Sequence, residues 1–374
     1  MPARVLILGG GVAGCAAAME LAARGAAVTL VDRDQPGTGA TGASAGILAP
    51  QYEASGPGHR FRLQVQSLDL WPGFAGRIEA HTGWSVGYRT DGLLVANRSR
   101  EEEDEALEAL AWQHELGLPG EIVTPQEARR LHCGVGGRLR SYVWLPRGHQ
   151  VDSQRLASAL ADAVRGAGGR VLSGRPATGI LTEQGQAVGI VLEDGTRLDA
   201  AWVVVAAGSW SSLLGGLPRP LPVRPVRGQI LRLQPEEPSS WPLLADHQGR
   251  YLVPRENGTL LVGSTMEEVG YDDGVTDAAR TYLTEIALEL YPGLERARVV
   301  ERWAGLRPMT PDTQPVLGPE PTLEGLVYAT GFGRNGILLA PLAAKVVAEL
   351  VLDGSSTVEW EPWGVQRFRT PGSP

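Results

Sequence analysis

The stretch Arg4-Val-Leu-Ile-Leu-Gly9-Gly-Gly11-Val-Ala-Gly14, near the start of this 374-residue chain, decides its fold. An apolar run typical of a strand ends in glycines spaced G-x-G-x-x-G and leads into a helical pattern. Gly9 permits the tight turn, Gly11 lets a phosphate approach the backbone, and Gly14 lets the helix pack closely on the strand. The helix start then offers its unpaired N–H groups to an anion, so the stretch predicts a dinucleotide site.

A second apolar strand strengthens this interpretation. Ala27-Val-Thr-Leu-Val-Asp32 follows the helix and ends in an acid eighteen residues after Gly14. A carboxylate at that place in a βαβ unit binds the ribose of a dinucleotide. The alternative is an ordinary strand, turn and helix that hold no ligand.

The composition is that of an ordinary globular protein, with 43% hydrophobic residues and a formal net charge of −8. This charge argues against nucleic acid as the main partner, because phosphate neutralisation needs clustered Lys and Arg. The sequence predicts no membrane span and no signal peptide, because it shows neither a long apolar window nor the N-terminal pattern of a leader. It predicts no metal site, because its two cysteines and six histidines lack ligand spacing. We expect a cytoplasmic protein whose oligomeric state stays open, with a homo-oligomer possible.

Three loops of small residues accompany the predicted strands. Thr41-Gly-Ala-Ser-Ala-Gly46-Ile47 comes soon after the ribose acid, and it predicts either a ligand-lining loop or a flexible surface loop. Ala207-Gly-Ser-Trp210-Ser follows the strand Trp202–Ala206, and Phe332-Gly-Arg334-Asn335-Gly336 follows the strand Leu326–Gly331. Open α/β sheets bind ligands at the carboxyl ends of their strands, so these loops are predicted to meet at one crevice.

The far end of the chain indicates which dinucleotide is bound. A nicotinamide cofactor predicts a second mononucleotide-binding half in a compact N-terminal domain, and the chain shows neither. Instead, a second helix start, Gly336 to Leu338, lies more than three hundred residues after Gly14. This favours extended FAD, whose isoalloxazine C2 carbonyl would meet that helix N-terminus, where the dipole stabilises negative charge on the reduced flavin.

We therefore predict an α/β fold in which a Rossmann-like FAD-binding domain is interleaved with an antiparallel-sheet α+β substrate domain. The strands Leu221–Gln234, Tyr251–Pro254 and Thr259–Ser264, a helix near Ala278–Leu290 and a hairpin at Asp91-Gly92 are assigned to the second domain. The predicted boundaries are residues 1–83, 150–218 and 300–374 for the FAD-binding domain, and 84–149 and 219–299 for the substrate-binding domain.

Five motifs together carry a family resemblance: Gly9-x-Gly11-x-x-Gly14, Thr41–Ile47, Ala207–Ser211, Trp303-Ala-Gly-Leu-Arg307-Pro, and Gly333-Arg334-Asn-Gly-Ile-Leu-Leu-Ala-Pro341. With them the chain resembles the D-amino acid oxidase superfamily of FAD-dependent oxidoreductases over essentially its whole length. Within the superfamily it is most similar to the glycine oxidases of thiamine biosynthesis.

The resemblance implies a substrate site. Arg307 matches the arginine that forks onto the substrate carboxylate, a task that suits a guanidinium. Tyr251 matches a tyrosine whose hydroxyl meets the same carboxylate, and Arg334 matches a residue beside the flavin whose side chain approaches the substrate. Met266 and Ile47 are predicted to line the pocket as apolar walls.

These substrate residues have alternative roles. Arg307 would otherwise pair with Glu301, Tyr251 would be a half-buried strand tyrosine, and Arg334 would face solvent at a helix start. His247 is a departure, because some D-amino acid oxidases place a second tyrosine four residues before the position of Tyr251. Its absence puts a tyrosine lid and large D-amino acids in doubt.

The resemblance also implies that FAD is bound without a covalent link. Sarcosine oxidases tether their flavin through a cysteine late in the chain, and neither Cys15 nor Cys133 is placed for that bond. The predicted cofactor contacts are Gly9, Gly11, Val12, Ala13, Gly14, Asp32, Arg33, Ala40, Thr41, Ser44, Ala45, Gly46, Ile47, Ala177, Gly208, Trp210, Gly331, Phe332, Gly333, Arg334, Asn335, Gly336, Ile337 and Leu338.

The reaction implied is oxidative deamination of glycine, other small amines or small D-amino acids to a 2-oxo acid, ammonia and hydrogen peroxide, with oxygen as acceptor. Hydride passes from the substrate α-carbon to flavin N5 and the amine enters neutral, so no residue is predicted as a general acid or base. The glyoxylate imine would feed thiamine thiazole synthesis. The alternatives are a broader D-amino acid oxidase or dehydrogenase, a sarcosine-type N-methyl amino acid oxidase and, more distantly, a flavin-binding protein without turnover.

Overall fold

The computed structural model describes residues 2–131, 135, 139–236 and 242–368, so Cys133 lies outside the described residues. Within them the strands, numbered in chain order, are β1 (Arg4–Leu8), β2 (Ala27–Val31), β3 (Ile47–Leu48), β4 (Leu93–Asn97), β5 (Glu121–Val123), β6 (Ser141–Leu145), β7 (His149–Gln150), β8 (Arg170–Leu172), β9 (Ala177–Glu183), β10 (Gln186–Leu192), β11 (Arg197–Asp199), β12 (Trp202–Val205), β13 (Arg224–Gln234), β14 (Leu243–Asp246), β15 (Tyr251–Pro254), β16 (Leu260–Gly263), β17 (Arg298–Met309), β18 (Val316–Pro319) and β19 (Leu326–Thr330).

The α-helices are α1 (Val12–Ala23), α2 (Ala40–Ala43), α3 (His59–Thr82), α4 (Arg100–Glu115), α5 (Pro125–Leu131), α6 (Ser153–Gly166), α7 (Asp277–Leu290) and α8 (Gly336–Asp353). Short 3-10 turns at Gly208–Leu213 and Gly333–Asn335 follow β12 and β19.

A six-stranded sheet forms the first layer, in the order β18-β19-β12-β1-β2-β8. All neighbours in it run parallel except β18, which pairs antiparallel with β19. β1 and β2 pair from Arg4 with Ala27 to Leu8 with Val31. The turn after Leu8 and the acid after Val31 therefore emerge at one edge of the sheet, where α/β folds bind ligands.

Both faces of this sheet are buried, because successive side chains of a strand point to opposite sides. Val5 and Ile7 face a core formed with α1, α3, α6 and α8. Leu6 and Leu8 face the other side, where β9, β10 and β11 form a three-stranded meander. The apolar run that opens the chain is thus a central strand.

Helix α8 lies in the core of the first layer. The segment Gly333–Asp353 is long and apolar enough to cross a membrane, yet 83% of that window is buried inside the fold. Its length and apolarity are accounted for by packing against α1 and α3.

An eight-stranded sheet forms the second layer, in the order β17-β13-β16-β15-β14-β4-β6-β5. Its neighbours pair antiparallel except β14 with β4, which are parallel. α7 packs on one face of the sheet. On the other face Ile230, Tyr251 and Trp303 pack with Ala45 and Ala49 from the first layer. The second sheet therefore turns this face toward the ligand edge of the first.

Specific bonds hold the two layers together. β3 pairs with β7, Trp303 Nε1 donates a hydrogen bond to the Ala43 carbonyl at 3.0 Å, and Arg255 Nη2 donates to the Ala45 carbonyl at 2.8 Å. The loop of small residues from Thr41 to Ile47 is thus fixed from the second sheet.

The predicted mixed α/β fold with parallel and antiparallel sheets is confirmed. The prediction of a hairpin at Asp91-Gly92 is wrong. Arg89 bridges Gln150, while β4 pairs with β6 and β14. At Gly92 the backbone instead passes close to the Trp144 ring, and a Cβ there would lie 2.0 Å from that ring.

The division into two interleaved domains stays a prediction. Two of the predicted boundaries fall inside a strand: the one at residues 149 and 150 divides β7 (His149–Gln150), and the one at residue 300 divides β17 (Arg298–Met309), which continues without a break in the eight-stranded sheet.

Candidate cofactor and substrate site

One cavity of about 490 Å³ runs along the ligand edge of the six-stranded sheet and onto the face of the eight-stranded sheet. Its wall includes the Gly9 turn and Asp32, and it also includes Tyr251 and Arg307. A single cavity therefore joins the predicted dinucleotide site to the predicted carboxylate site.

Most of the predicted cofactor contacts line this cavity: Gly9, Gly11, Val12, Ala13, Asp32, Arg33, Ala40, Thr41, Ser44, Ala45, Gly46, Ile47, Ala177, Gly208, Trp210, Gly331, Phe332, Gly333, Arg334, Gly336 and Ile337. Gly14, Asn335 and Leu338 lie behind the wall. Leu338 is buried, and its carbonyl accepts hydrogen bonds from Ser67 Oγ at 2.7 Å and Trp71 Nε1 at 3.1 Å.

The glycine turn has the geometry that its sequence predicts. Gly9 has φ of 106°, which favours glycine. A Cβ at Gly14 would lie 1.9 Å from the Gly9 carbonyl oxygen, so α1 approaches β1 more closely than a side chain allows. α1 follows Gly11 with no side-chain cap and no acid in its first turn. The positive end of its dipole is therefore directed to the cavity, although the Val12 N–H itself donates to Thr41 Oγ1 at 3.0 Å.

Asp32 both lines the cavity and holds the turn. Its Oδ2 accepts a hydrogen bond from the Gly10 N–H at 2.5 Å, and its Oδ1 accepts one from the Asp34 N–H at 2.7 Å. Burial raises the pKa of Asp32 against the opposing effect of these two bonds. Each carboxylate oxygen has two lone pairs, so capacity to accept from a ribose hydroxyl remains.

Two further features of the wall fit a long dinucleotide. Ser44 Oγ is buried and has no hydrogen-bond partner within the described chain, which leaves it for a ligand in the cavity. Arg33 stacks over the Trp210 ring with 3.5 Å from Cζ to the ring centroid, and together they form a flat cationic wall beside the ribose acid.

The start of α8 provides a second helix N-terminus on the same cavity. α8 begins at Gly336 with no side-chain cap and no acid in its first turn, and Gly336 and Ile337 line the wall. Gly333 has φ of 58°, and a Cβ on it would lie 3.0 Å from Met309 Sδ. A bound FAD would thus be held by Gly9–Ala13, Asp32 and Ser44 toward its nucleotide part and by the α8 start toward its flavin.

Arg307 lies on β17 with its guanidinium over Gly228 of β13, where a Cβ would come within 2.0 Å of Nη1. Nη1 donates to the Thr265 carbonyl at 3.1 Å, and Nη2 donates to Ser264 Oγ at 2.7 Å. Both acceptors are neutral, and burial lowers the pKa of Arg307. No ion pair to Arg307 forms within the described chain, so Glu301 is not its partner; Glu301 pairs with Arg232 at 3.0 Å.

Tyr251 is 7% exposed and stands beside Arg307 in the wall. Its ring covers Gly263, where a Cβ would lie 2.3 Å from the hydroxyl. In the described structure the hydroxyl has no protein partner, so it is available to a ligand. Arg307 and Tyr251 together offer hydrogen-bond donors suited to a carboxylate.

Arg334 lies at the mouth of the same cavity and is already paired. Its Nε and Nη2 each lie 3.2 Å from Glu53 Oε1, and Glu53 raises the pKa of Arg334. The Arg334 side chain is 31% exposed and packs against Gly249. The guanidinium is therefore only partly exposed to solvent, and Glu53 already occupies it as an ion-pair partner.

A second cavity of about 610 Å³ adjoins the first and shares Glu53 and Arg334 with it. Met266 lines this second cavity and not the first, and it is 53% exposed. His247 lies there too, with Nε2 at 2.7 Å from Asn97 Oδ1.

Sequence reasoning missed Glu53, Ser264 and Gly228. Gly228 carried a usable signal, because a glycine inside a strand often marks close approach of another group. Glu53 and Ser264 carried none, since each acquires its role from a partner more than forty residues away. Among the described residues, no cluster of three His, Cys, Asp or Glu has the arrangement of a metal site.

Comparison with known proteins agrees with this geometry. Residues 4–350 match the model of the DAO family, described as FAD dependent oxidoreductase. The chain is 36% identical to the bifunctional protein ThiO/ThiG of Nostoc sp. over 94% of its own length and 53% of that protein, so it spans about half of this relative.

Two full-length similarities accompany that match. The chain is 33% identical to a glycine oxidase of Pseudomonas aeruginosa, covering 97% of the chain and 98% of the relative. The crystal structure of glycine oxidase from Geobacillus kaustophilus superposes with a TM-score of 0.91 at 32% identity, covering 98% of this chain and 100% of that one. The chain therefore belongs to the DAO family of FAD dependent oxidoreductases, with FAD as its cofactor.

Proposed function

We propose that this protein oxidises glycine and other small amines or small D-amino acids to the 2-oxo acid, ammonia and hydrogen peroxide, with oxygen as the electron acceptor. The observation that carries the proposal is Arg307, a cation in the wall of the cofactor cavity whose protein acceptors are all neutral. Relatives named glycine oxidase, similar over nearly the whole chain, support the same substrate class.

Arg307 and Tyr251 bind the substrate carboxylate in this proposal. Two N–H groups of the Arg307 guanidinium form a fork that matches two carboxylate oxygens, while the Tyr251 hydroxyl donates a third hydrogen bond. Binding the carboxylate at these points fixes the direction of the α-carbon, which contributes to the rate through orientation. FAD, when bound, supplies the acceptor for the α-hydrogen, transferred as hydride.

The residues that line the cavity offer little for proton transfer. Asp32 accepts the Gly10 N–H at 2.5 Å, Asp34 pairs with Arg33 at 2.9 Å, and Glu53 pairs with Arg334. We therefore propose that the amine reaches the site neutral and that positioning replaces a general base. Ile47 lines the cofactor cavity, and we propose that it forms an apolar wall for the substrate. Met266 lines the second cavity and has no part in this proposal.

The first experiment measures oxygen uptake, peroxide and anaerobic bleaching of the flavin with glycine, sarcosine and D-alanine. Bleaching by glycine with stoichiometric peroxide in air supports the proposal. Turnover with dyes but without oxygen uptake would assign a dehydrogenase, and preference for sarcosine would assign an N-methyl amino acid oxidase. No bleaching by any of the three would leave a flavin-binding protein without turnover.

The second experiment substitutes Arg307→Ala. We expect kcat/KM for glycine to fall by about 10²–10³-fold through a higher KM, because a charged hydrogen-bonded partner of the carboxylate is lost. The flavin spectrum should stay normal. Arg302→Ala is the matched control, since Arg302 lies on the same strand, is 41% exposed and pairs with Asp277 at the surface.

We further propose that the imine product feeds thiamine thiazole synthesis in the cytoplasm. Support comes from the similarity to a region of a protein named ThiO/ThiG. Complementation of a thiamine-requiring strain that lacks its own glycine-oxidising enzyme tests this role, and Arg307→Ala should fail to restore growth.

A further inference from the structure

We propose that the ion pair between buried Arg227 and partly exposed Glu267 is a positioning device for Arg307. The pair fixes the backbone at Ser264 and Thr265, on which the guanidinium of Arg307 is held, and so sets the affinity for carboxylates without touching them. This inference rests on the proposed role of Arg307 in carboxylate binding. Neither Arg227 nor Glu267 lines the cofactor cavity.

The position of the Arg307 guanidinium depends on a short segment after β16. Its two hydrogen bonds go to the Ser264 hydroxyl and the Thr265 carbonyl, at 2.7 Å and 3.1 Å. The guanidinium also lies against Gly228, which has no side chain to offer it a hydrogen bond. A shift of residues 264–265 would therefore move Arg307 directly.

Thr265 is in turn fixed by Glu267. Thr265 Oγ1 donates to Glu267 Oε1 at 2.5 Å and accepts the Gln229 N–H at 2.9 Å. Gln229 Nε2 donates to the same carboxylate oxygen at 2.8 Å. The residue whose carbonyl receives Arg307 is thus tied through its side chain to one oxygen of Glu267.

Arg227 occupies the other oxygen of Glu267. Its Nε and Nη2 donate to Oε2 at 3.2 Å and 2.6 Å, and its Nη1 donates to Asp272 at 2.7 Å. The two backbones also pair, with the Arg227 N–H donating to the Glu267 carbonyl at 2.9 Å and the reverse bond at 3.0 Å. The side chains of Arg227 and Glu267 are 6% and 26% exposed, so solvent weakens their pair less than the pair with Asp272, which is 62% exposed.

The charges distinguish this pair from ordinary packing. Arg227 is neutralised by two carboxylates, whereas Arg307 is held by neutral acceptors. Glu267 and Arg307 both bond to Thr265, the carboxylate through the Thr265 hydroxyl and the guanidinium through its carbonyl, so the two charges lie on either side of one residue. With Arg227 in place, the ion pair offsets most of the Glu267 charge, so Glu267 competes weakly with a substrate carboxylate for Arg307. Without Arg227, Glu267 becomes a competing anion behind the site.

This reasoning predicts an asymmetry that loss of packing alone would not produce. Glu267→Gln removes the anion and weakens the tether, so the KM for glycine should rise by about tenfold while kcat changes by less than about twofold. Arg227→Met leaves Glu267 uncompensated, so the KM should rise by about a hundredfold. In the double variant the competing anion is gone, and the KM should return to about the tenfold level of Glu267→Gln.

The control is a neighbouring ion pair on the same two segments. Arg224 and Glu268 lie 2.5 Å apart, with side chains 50% and 70% exposed. Glu268→Gln removes an equal charge next to Glu267 and should change the KM by less than about twofold. Each holoenzyme is also titrated with acetate, whose carboxylate binds without turnover, and the flavin absorbance change gives its Kd.

The Kd of acetate should follow the KM of glycine through the series. The proposal is overturned when Glu267→Gln and Arg227→Met shift the acetate Kd no more than Glu268→Gln does, or when the double variant is as weak as the sum of the single variants. Should Arg227→Met yield no holoenzyme, Thr265→Val, which removes only the hydroxyl tether, must raise the acetate Kd by about tenfold. Normal acetate binding by Arg307→Ala would instead refute the proposed function itself.

Discussion

The two ends of the cofactor cavity are built by different means. At the nucleotide end a continuous segment from β1 through Asp32 supplies backbone N–H groups, a bare helix terminus and close packing. At the substrate end, Tyr251, Ser264 and Arg307 come from three separate segments of the second sheet. The first end relies mainly on backbone groups that glycines bring close, and the second relies on side chains whose partners are distant in sequence.

This difference determines how each end tolerates substitution. Backbone groups cannot move aside, so the nucleotide end should fail abruptly when a side chain is added. Hydrogen-bond donors at the substrate end can be removed one at a time, so affinity there should fall in steps while the fold and the flavin persist. Four predictions test the contrast.

The largest effect is expected for Gly14→Val. Its Cβ would lie 1.9 Å from the Gly9 carbonyl oxygen, and separating α1 from β1 would cost more than about 3 kcal/mol. Flavin content and the urea midpoint of unfolding should both collapse. Gly76→Val is the control, because Gly76 lies in α3 with open space at its Cβ position. Retention of flavin by Gly14→Val would show that the turn is not rigid.

Tyr251→Phe should give an intermediate effect confined to the substrate end. The lost hydroxyl has no protein partner, so stability should be unchanged while the KM for glycine rises by about tenfold for one hydrogen bond to a charged group. Steady-state kinetics and urea unfolding measure both. Tyr282→Phe, at an exposed position of α7, is the control. A drop in stability equal to the drop in affinity would mean that Tyr251 is a structural strand residue.

Asp32→Asn should produce a smaller effect confined to the nucleotide end. The two Asp32 oxygens accept the Gly10 and Asp34 N–H groups, and in asparagine an NH₂ donor replaces one of them. One of these bonds is therefore lost, and the contact with the ribose is weakened. The Kd of FAD for the apoprotein, from flavin fluorescence, should rise by about tenfold. The KM for glycine in the FAD-saturated enzyme should not change. Asp162→Asn removes an equal charge from an exposed position of α6 outside the cavity lining, and an equal effect on FAD would assign the loss to net charge.

The smallest effect concerns the junction between the two ends, where β7 pairs with β3. Burial lowers the pKa of His149 to about 4, and its Nδ1 lies 2.8 Å from the Tyr88 hydroxyl. The unfolded chain binds a proton below an ordinary pKa of about 6.5, so His149 contributes stability above that pH which is lost as the pH falls toward 4.

Urea unfolding of the wild type and His149→Gln at about pH 7 and about pH 5 measures this contribution. The advantage of the wild type should shrink at the lower pH by less than about 1 kcal/mol, because the ring is only partly buried and solvent screens it. An advantage that grows at about pH 5 would mean that the folded protein binds the charged ring.

The sequence predicted residues at both ends of this cavity, and Met266 is the predicted pocket residue that does not line it. The Gly9 turn, Asp32 and the start of α8 lie where their motifs placed them, because local backbone geometry is written in glycines and in the order of strand and helix. Met266 was predicted for the substrate pocket and lies in the adjoining cavity. Its place depends on the course of the loop after β16, which no local pattern specified.

The same division holds for the fold. By itself the sequence determined the α/β class, the apolar strand β1, the helix start at Gly336 and the family of the chain, because periodicity and glycine spacing are local properties. Only the tertiary structure decided that β17 runs unbroken beside β13, that Glu53 pairs with Arg334, and that Arg227 and Glu267 secure the segment holding Arg307. Strand pairing and ion pairing join residues far apart in sequence, and their geometry is set only when the sheets pack together.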